Sequence, residues 1–385
     1  MLEANLFSNS SDSEACHAGS PNTGSAIVIS DVCGQRGGAY RVTALLCEAL
    51  SDLGLNTTCY ASWVEPDYVS QGRRWKIVRP AIGRGSRWGL PHRVLAWQAA
   101  RAVLREHPKI AICVGLTSLC GMVLNSKIAS KIYVWELTNA EPGNKFVSDH
   151  AVTRLNKCRG LLSPAAAIDE AIRRTYGYTR PIHRLPFWVE TSDLKYLKPP
   201  KTYSCDFLFL SRREIDKGLE DLLDAIEILG RKRRDFVVLI AGQGETDPWT
   251  KKVSRLGVQD IVSFTSLPNR NQAMSTLMNA RYLVLPSWHE GYPISILEAT
   301  QRSVPVVCTP VGAIREMLGE SRGVLYHEPQ NANSLADVMS MALDKPPAEY
   351  DKMRVASRHR FEATLGQKTT EESLLKLIKE ASEAS

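Results

Sequence analysis

Short apolar runs alternate with helix-spaced apolar residues twice along this chain of 385 residues, with one proline-rich interruption. That pattern restricts it to two units of parallel α/β type. In the first half AIVIS (26–30) is a β-branched run followed by the polar loop DVCGQRGG. Val42, Leu45, Leu46, Ala49 and Leu53 then recur at helical spacing, and Gly54 stands where a helix would end. NTTCYAS, WKIVR (75–79), IAICVG (110–115), KIYVW (131–135) and GLLSP (160–164) supply further strands. The second half repeats the theme with CDFLFLS (205–211), FVVLIAG (236–242), IVSFT (261–265), YLVLP (282–286) and VPVVC (304–308). Between them LPFWVETSDLKYLKPPKTY (185–203) loses periodicity, as an interdomain linker does. The expected division is a disordered polar lead-in over 1–24, Rossmann-like domains over 25–190 and 191–364, and a last helix over about 365–385 free to pack back on the first domain.

Composition narrows the classes. At 44% hydrophobic and 23% charged residues the chain is an ordinary globular one. No apolar run approaches the roughly 18 residues of a membrane span, and the first residues lack the charged-then-apolar order of a secretory signal. Nine scattered cysteines without a Cys-x-x-Cys pair read as buried thiols of a reducing cytoplasm. The net charge of +7 belongs to residues 1–190, which hold 22 Lys and Arg against 15 Asp and Glu, while 191–385 hold 26 of each.

In paired α/β sheets ligands bind beyond the carboxyl ends of strands, in the cleft between domains, so the loops after strands carry the chemistry. SWHEGYPISILEAT (287–300) follows YLVLP and spaces Glu290 and Glu298 as E-x7-E. Gly291 lets backbone pass close to a ligand, and the helix opening at Ile294 turns free amides to the cleft, which suits a diphosphate. The alternative is a capped helix with two solvated glutamates. After CDFLFLS, Arg212 and Lys217 flank a loop and Gly218 opens a helix, either an anion site or plain surface charge. LIAGQGE (239–245) and GQRGGAYR (34–41) are glycine turns in which Gly242, Gly37 and Gly38 either admit a ligand or only turn the chain. No spacing of His, Cys and carboxylates suggests a metal, no Asp-x-Asp occurs, and no cofactor is indicated.

In combination SRREIDKGLEDLLDA, LIAGQGE, VSFTSLPNR, LVLPSWHEGYPISILEA and SVPVVCTPVGAIREML resemble the retaining glycosyltransferases of family four, also grouped as glycosyl transferases group 1, over most of the carboxyl half. The amino half matches more loosely, through GQRGGAYRVTALLCEALSDLG and LPFWVE. The resemblance implies the GT-B fold, two Rossmann-like domains with parallel sheets facing across a cleft. It implies Arg212 and Lys217 on the donor diphosphate, in place of a metal. It implies Glu290 on the donor sugar and Glu298 on the ribose, with Gly37 and Gly38 near the phosphates and acceptor. Gly242, Gly291, Tyr292 and Ile294 join these as donor-binding positions. Two departures are visible: Pro293, without an amide hydrogen, replaces the commoner glycine, and Glu136 stands where many members have a histidine. Glu136 and His289 are accordingly lesser site candidates.

The resemblance implies a UDP- or GDP-sugar donor of hexose type and a glycan or lipid-linked acceptor, in surface polysaccharide or glycolipid synthesis. Its rivals are a sugar-nucleotide epimerase of the same fold and an inactive sugar-nucleotide-binding partner subunit. Between Tyr68 and Arg105 lie nine Arg and Lys with no acid, interleaved with Trp75, Trp88 and Trp97. No nucleic-acid motif accompanies them, so nucleic acid is not an expected partner. An anionic membrane surface and a solvated basic face remain, the former making a cytoplasmic protein peripheral on the inner membrane face.

Overall fold

The computed structural model describes residues 24–34, 38–65, 74–79, 90–138, 140, 147–190, 200–267 and 269–383. The lead-in, Gly37, Cys16, Trp88 and the linker's middle lie outside them.

Seven strands form the first sheet: β1 (Ser25–Cys33), β2 (Asn56–Val64), β3 (Lys76–Val78), β4 (Ile110–Val114), β5 (Tyr133–Trp135), β6 (Gly160–Ser163) and β7 (Ile182–Arg184). Six form the second: β8 (Cys205–Leu210), β9 (Val238–Ala241), β10 (Val262–Thr265), β11 (Ala280–Leu285), β12 (Val306–Cys308) and β13 (Val324–Tyr326). Their orders are β3-β2-β1-β4-β5-β6-β7 and β10-β9-β8-β11-β12-β13. Every pairing is parallel, as between Val28 and its partners Cys59 and Ile112. All-parallel strands are covered on both faces, which explains why Ile27, Val28, Ile29, Phe207, Leu208 and Phe209 are wholly buried. Each order reverses once, at β1/β4 and at β8/β11, and the crevice for ligands opens at such a reversal.

The first helix, Gly38–Asp52, buries Val42, Leu45, Leu46 and Ala49, and Gly54 follows it at φ 82°. β7 and β13 were absent from the sequence pattern, because both are three-residue edge strands and IHR carries two polar side chains. The helix Gln367–Glu383 returns to the first sheet's surroundings. There Arg159 Nη2 donates to the Ala381 carbonyl at 2.7 Å, and His183 Nδ1 lies 3.2 Å from Glu380.

An aromatic column crosses between the halves. Trp135 at the end of β5 stacks on Trp188 with centroids 6.0 Å apart and meets Phe187 edge-on at 5.2 Å. Phe187 in turn meets Tyr292 of the second half at 5.5 Å. The eight described cysteines are buried, and among the described residues no disulfide forms. Among the described residues no helix is long and apolar enough to cross a membrane.

Candidate functional site

The loops after β8 and β11 are neighbours because their strands pair, and they are tied together. Trp288 N–H donates to the Asp216 carbonyl at 2.9 Å and its indole N–H to Asp221 at 2.5 Å. A turn at Ile215–Lys217 ends in Gly218, at φ 70°, where a Cβ would fall on the Pro286 carbonyl. Only glycine permits that approach, and it brings Lys217 to the neighbouring loop. Lys217 Nζ donates to Glu290 Oε1 at 3.0 Å and to the His289 carbonyl at 3.4 Å. Ser287 Oγ donates to the same Glu290 oxygen at 2.7 Å. Two residues from separate sequence motifs are thus one buried, charge-assisted pair. Arg212, five residues before Lys217 on the same loop, is 39% exposed in its side chain, with Nη1 2.6 Å from Glu214 Oε1. Its neighbour Arg213 is instead buried, donating to the Gly244 and Thr265 carbonyls and to Thr246, and so staples the loops after β8, β9 and β10.

The remaining expected positions divide. Gly242, at φ 145°, is where a Cβ would fall on the Ser211 carbonyl, so two strand ends cross there. Gly291 packs on first-sheet backbone, a Cβ there lying 3.3 Å from the Leu137 carbonyl. A Cβ on Gly38 would lie 3.4 Å from Ile294 Cδ1, a second contact between halves. The Tyr292 ring is turned into the core against Phe187, leaving its backbone on the loop, and the His289 side chain is exposed while its carbonyl faces Lys217.

Glu298, one turn into the helix Ile294–Gln301, is held by arginines from both halves. Arg41 of the first helix donates Nη1 to Glu298 and Nη2 to Glu190, and Arg270 donates to Glu298 and lies 3.2 Å from Glu190. Burial pushes the Glu190 carboxyl up, but the Arg41 and Arg270 charges outweigh it and hold it below the usual range. Arg41, Glu190 and Arg270 carried no role in the sequence reading. They are the last residues of GQRGGAYR, LPFWVE and VSFTSLPNR, so the three segments converge at their ends.

Glu136 is wholly buried at the end of β5. Its Oε1 accepts from the Thr138 amide at 2.7 Å and from the Thr138 hydroxyl, while Oε2 has no hydrogen-bond partner among the described residues. Burial pushes its carboxyl above the usual range. Of the basic stretch, Arg73, Arg84, Arg87 and Trp88 lie outside the described residues. Trp75 is 6% exposed and packed in the first core, whereas Trp97 is 59% exposed. Among the described residues no three His, Cys, Asp or Glu side chains converge as a metal set.

Two parallel sheets with their reversals at a shared crevice define the GT-B class, and solved structures of that fold match nearly the whole chain. A sucrose-phosphate synthase from Thermosynechococcus elongatus superposes with a TM-score of 0.74 at 16% identity, covering 94% of this chain and 100% of that one. A glycosyltransferase from Rickettsia africae does so with 0.73, also at 16%, with the same coverage. Residues 198–360 match the family of glycosyl transferases group 1. A glycogen synthase from Mycobacterium tuberculosis is 27% identical over 158 residues, 41% of this chain and 38% of that protein. An alpha-D-kanosaminyltransferase from Streptomyces kanamyceticus is 25% identical over 217 residues, 54% and 56% of the two. The matched region thus spans about half or less of these relatives' length.

Proposed function

We propose that the chain is a retaining, metal-independent glycosyltransferase that moves a hexose-type sugar from a UDP- or GDP-sugar to a glycan or lipid-linked acceptor, in surface polysaccharide or glycolipid synthesis. The observation that carries this reading is the Lys217–Glu290 pair, with Arg212 on the same loop as Lys217, at the carboxyl ends of two adjacent strands where the sheet order reverses. Arg212 and Lys217 neutralise the diphosphate as the bond from the anomeric carbon to its oxygen breaks. Preorganised charge of this kind is usually the largest contribution to such a reaction. Glu290, already oriented by Ser287, takes donor-sugar hydroxyls, and Glu298 the ribose. The helix opening at Ile294 turns its free amides to the phosphates, less the one that Pro293 lacks. Domains dividing near residue 190, with the helix from Gln367 returning to the first, hold acceptor and donor on opposite sides.

Turnover of UDP- and GDP-sugars by the purified chain, with EDTA and with a panel of acceptors, tests the reading. Transfer that survives EDTA and yields the donor's anomer is the expected result. Activity restored only by manganese would overturn metal independence, an inverted anomer the stereochemistry, and turnover without any acceptor product would favour an epimerase. No turnover at all would favour a silent partner subunit.

A second observation supports attachment at the cytoplasmic face of an anionic membrane. The helix Leu90–Glu106 exposes Arg93, Trp97, Arg101 and Leu104, with the Arg101 guanidinium 5.4 Å from the Trp97 ring centroid.

A further inference from the structure

A carboxylate holds a hydroxyl in one place only if its own plane is fixed. The last torsion of a glutamate side chain is broad and nearly two-fold, so packing along the stem leaves that plane free to turn. In Glu298 two guanidiniums fix it through one oxygen, since Arg41 Nη1 and Arg270 Nη1 both donate to Oε1. The other oxygen, Oε2, accepts no hydrogen bond among the described residues and is not closed to solvent.

The two arginines are held in their turn. Each guanidinium bridges Glu298 Oε1 to Glu190 Oε2, Arg41 through Nη2 and Arg270 through Nη2 at 3.2 Å. Arg41 is buried in the helix Gly38–Asp52 of the first half. Arg270 opens the helix Arg270–Met278, which Asn269 caps by accepting from the Gln272 amide at 3.0 Å. Glu190 is fixed by its backbone as well, because Gln301 Nε2 donates to its carbonyl at 2.6 Å. Two cations facing two carboxylates leave Oε2 in need of a donor rather than of another ion. A hydroxyl supplies that donor without adding charge.

We propose that Arg41 is a positioning residue for the ribose of the donor: with Arg270 it turns Glu298 so that Oε2 accepts from the ribose hydroxyls. This rests on the reading of Glu298 as the ribose-binding acid. It adds the group that orients that acid, and it makes nucleotide recognition by the second half depend on a helix of the first. Arg41 acts through Glu298 and leaves the nucleotide itself to that carboxylate.

Calorimetry on the whole chain with UDP, GDP and their 2′,3′-dideoxy forms tests this. A hydrogen bond to a charged group is worth about tenfold to a hundredfold in affinity, so the wild type should prefer the ribonucleotide by at least about tenfold. Glu298→Ala should erase most of that preference. Arg41→Lys keeps the buried charge but cannot span two carboxylates as the guanidinium fork does. It and Arg41→Met should each cut the preference by about threefold or more, while the dideoxy nucleotide binds within about twofold of the wild type and reports an intact site. A preference lost in Glu298→Ala but kept in both Arg41 variants would overturn the positioning role and leave the ribose reading standing. Parallel loss of ribo- and dideoxynucleotide in the Arg41 variants would also overturn it, and make Arg41 a structural tie. A wild type without the preference, or one that Glu298→Ala leaves intact, would sink the ribose reading and this inference with it.

Discussion

The crevice has two walls of opposite electrostatic character. On the second sheet's wall, charges meet charges: Lys217 holds Glu290, and Arg270 with Arg41 holds Glu298. On the first sheet's wall Glu136 and His92 are buried and Asp31 partly so, and Glu136 Oε2 and His92 Nδ1 have no hydrogen-bond partner among the described residues. The pKa directions follow this division. Glu190, facing two arginines, is held low, whereas Glu136 and Asp31 are pushed up by burial. A wall of paired charges is suited to a fixed anionic ligand, whereas on the other wall burial acts against the charged form of each carboxyl group.

Removing the cation shared between the walls should have the largest effect. Arg41 is 3% exposed and joins the first helix to Glu298 and Glu190. Breaking a buried pair by deleting one partner costs about 3–5 kcal/mol. Arg270 still faces both acids, so the lower end applies. Arg41→Met should therefore lower unfolding stability by about 3 kcal/mol in urea titration. An unchanged midpoint would show that the halves are held by contacts other than this ion network.

Next come the cations of the second wall. Arg212→Ala or Lys217→Ala should lower kcat/KM by about 10²–10³-fold, the cost of one preorganised charged contact. Lys217→Ala should also lower stability, since it leaves Glu290 buried with only Ser287, whereas Arg212→Ala should not, its side chain being 39% exposed. Equal stability losses in both variants would contradict that difference.

The two walls should also respond oppositely to pH. The Glu190 carboxyl is lowered in the folded chain, so its stabilisation is present above the unfolded carboxylate range and is lost as pH falls through the folded value. Glu136 is raised, so the folded chain binds the proton more tightly than the unfolded one. Its contribution is present below the unfolded value and is lost as pH rises through the folded one. Glu190→Gln should flatten the acid side of a stability-against-pH curve, and Glu136→Gln the limb just above the ordinary carboxylate range. Identical curves for both variants would erase the contrast between the walls.

How much of this was legible follows the same division. Strand-to-helix turns of the second half leave cations, glycines and glutamates in fixed order, and Gly218 and Gly242 stand there because backbone crosses backbone. Glu136 was visible only as a departure from a resemblance. Asp31 and His92 left no mark, because 61 positions separate them and β-sheet order, not spacing, brings them together. Arg41, Glu190 and Arg270 were inside quoted segments, yet an ion network across three chain segments has no linear signature. The place of Trp75 could not be read, because a tryptophan among arginines looks alike whether it faces solvent or core; β3 is short, and the ring just before it completes the first core.

The smallest effect per residue belongs to the outer face of the helix Leu90–Glu106, far in character from either wall. Its inner face buries Leu95, Ala99, Ala102 and Val103, and its outer face exposes Arg93, Trp97, Arg101 and Leu104. Arg93, Trp97 and Arg101 follow one another at four-residue spacing, so they share one stripe. Substitutions on such a face usually leave stability within about 0.5 kcal/mol. Each cation near an anionic bilayer contributes about 1 kcal/mol, which fades as salt shortens the Debye length from about 10 Å at 0.1 M to about 3 Å at 1 M. Trp97→Ala and the Arg93→Glu, Arg101→Glu pair should therefore leave urea midpoints unmoved. In sedimentation with phosphatidylserine-containing liposomes the charge-reversed pair should lose at least tenfold in binding at low salt. Wild-type chain that stays in the supernatant at low salt would make this stripe a solvated face, and the basic character of the first half would then serve no membrane.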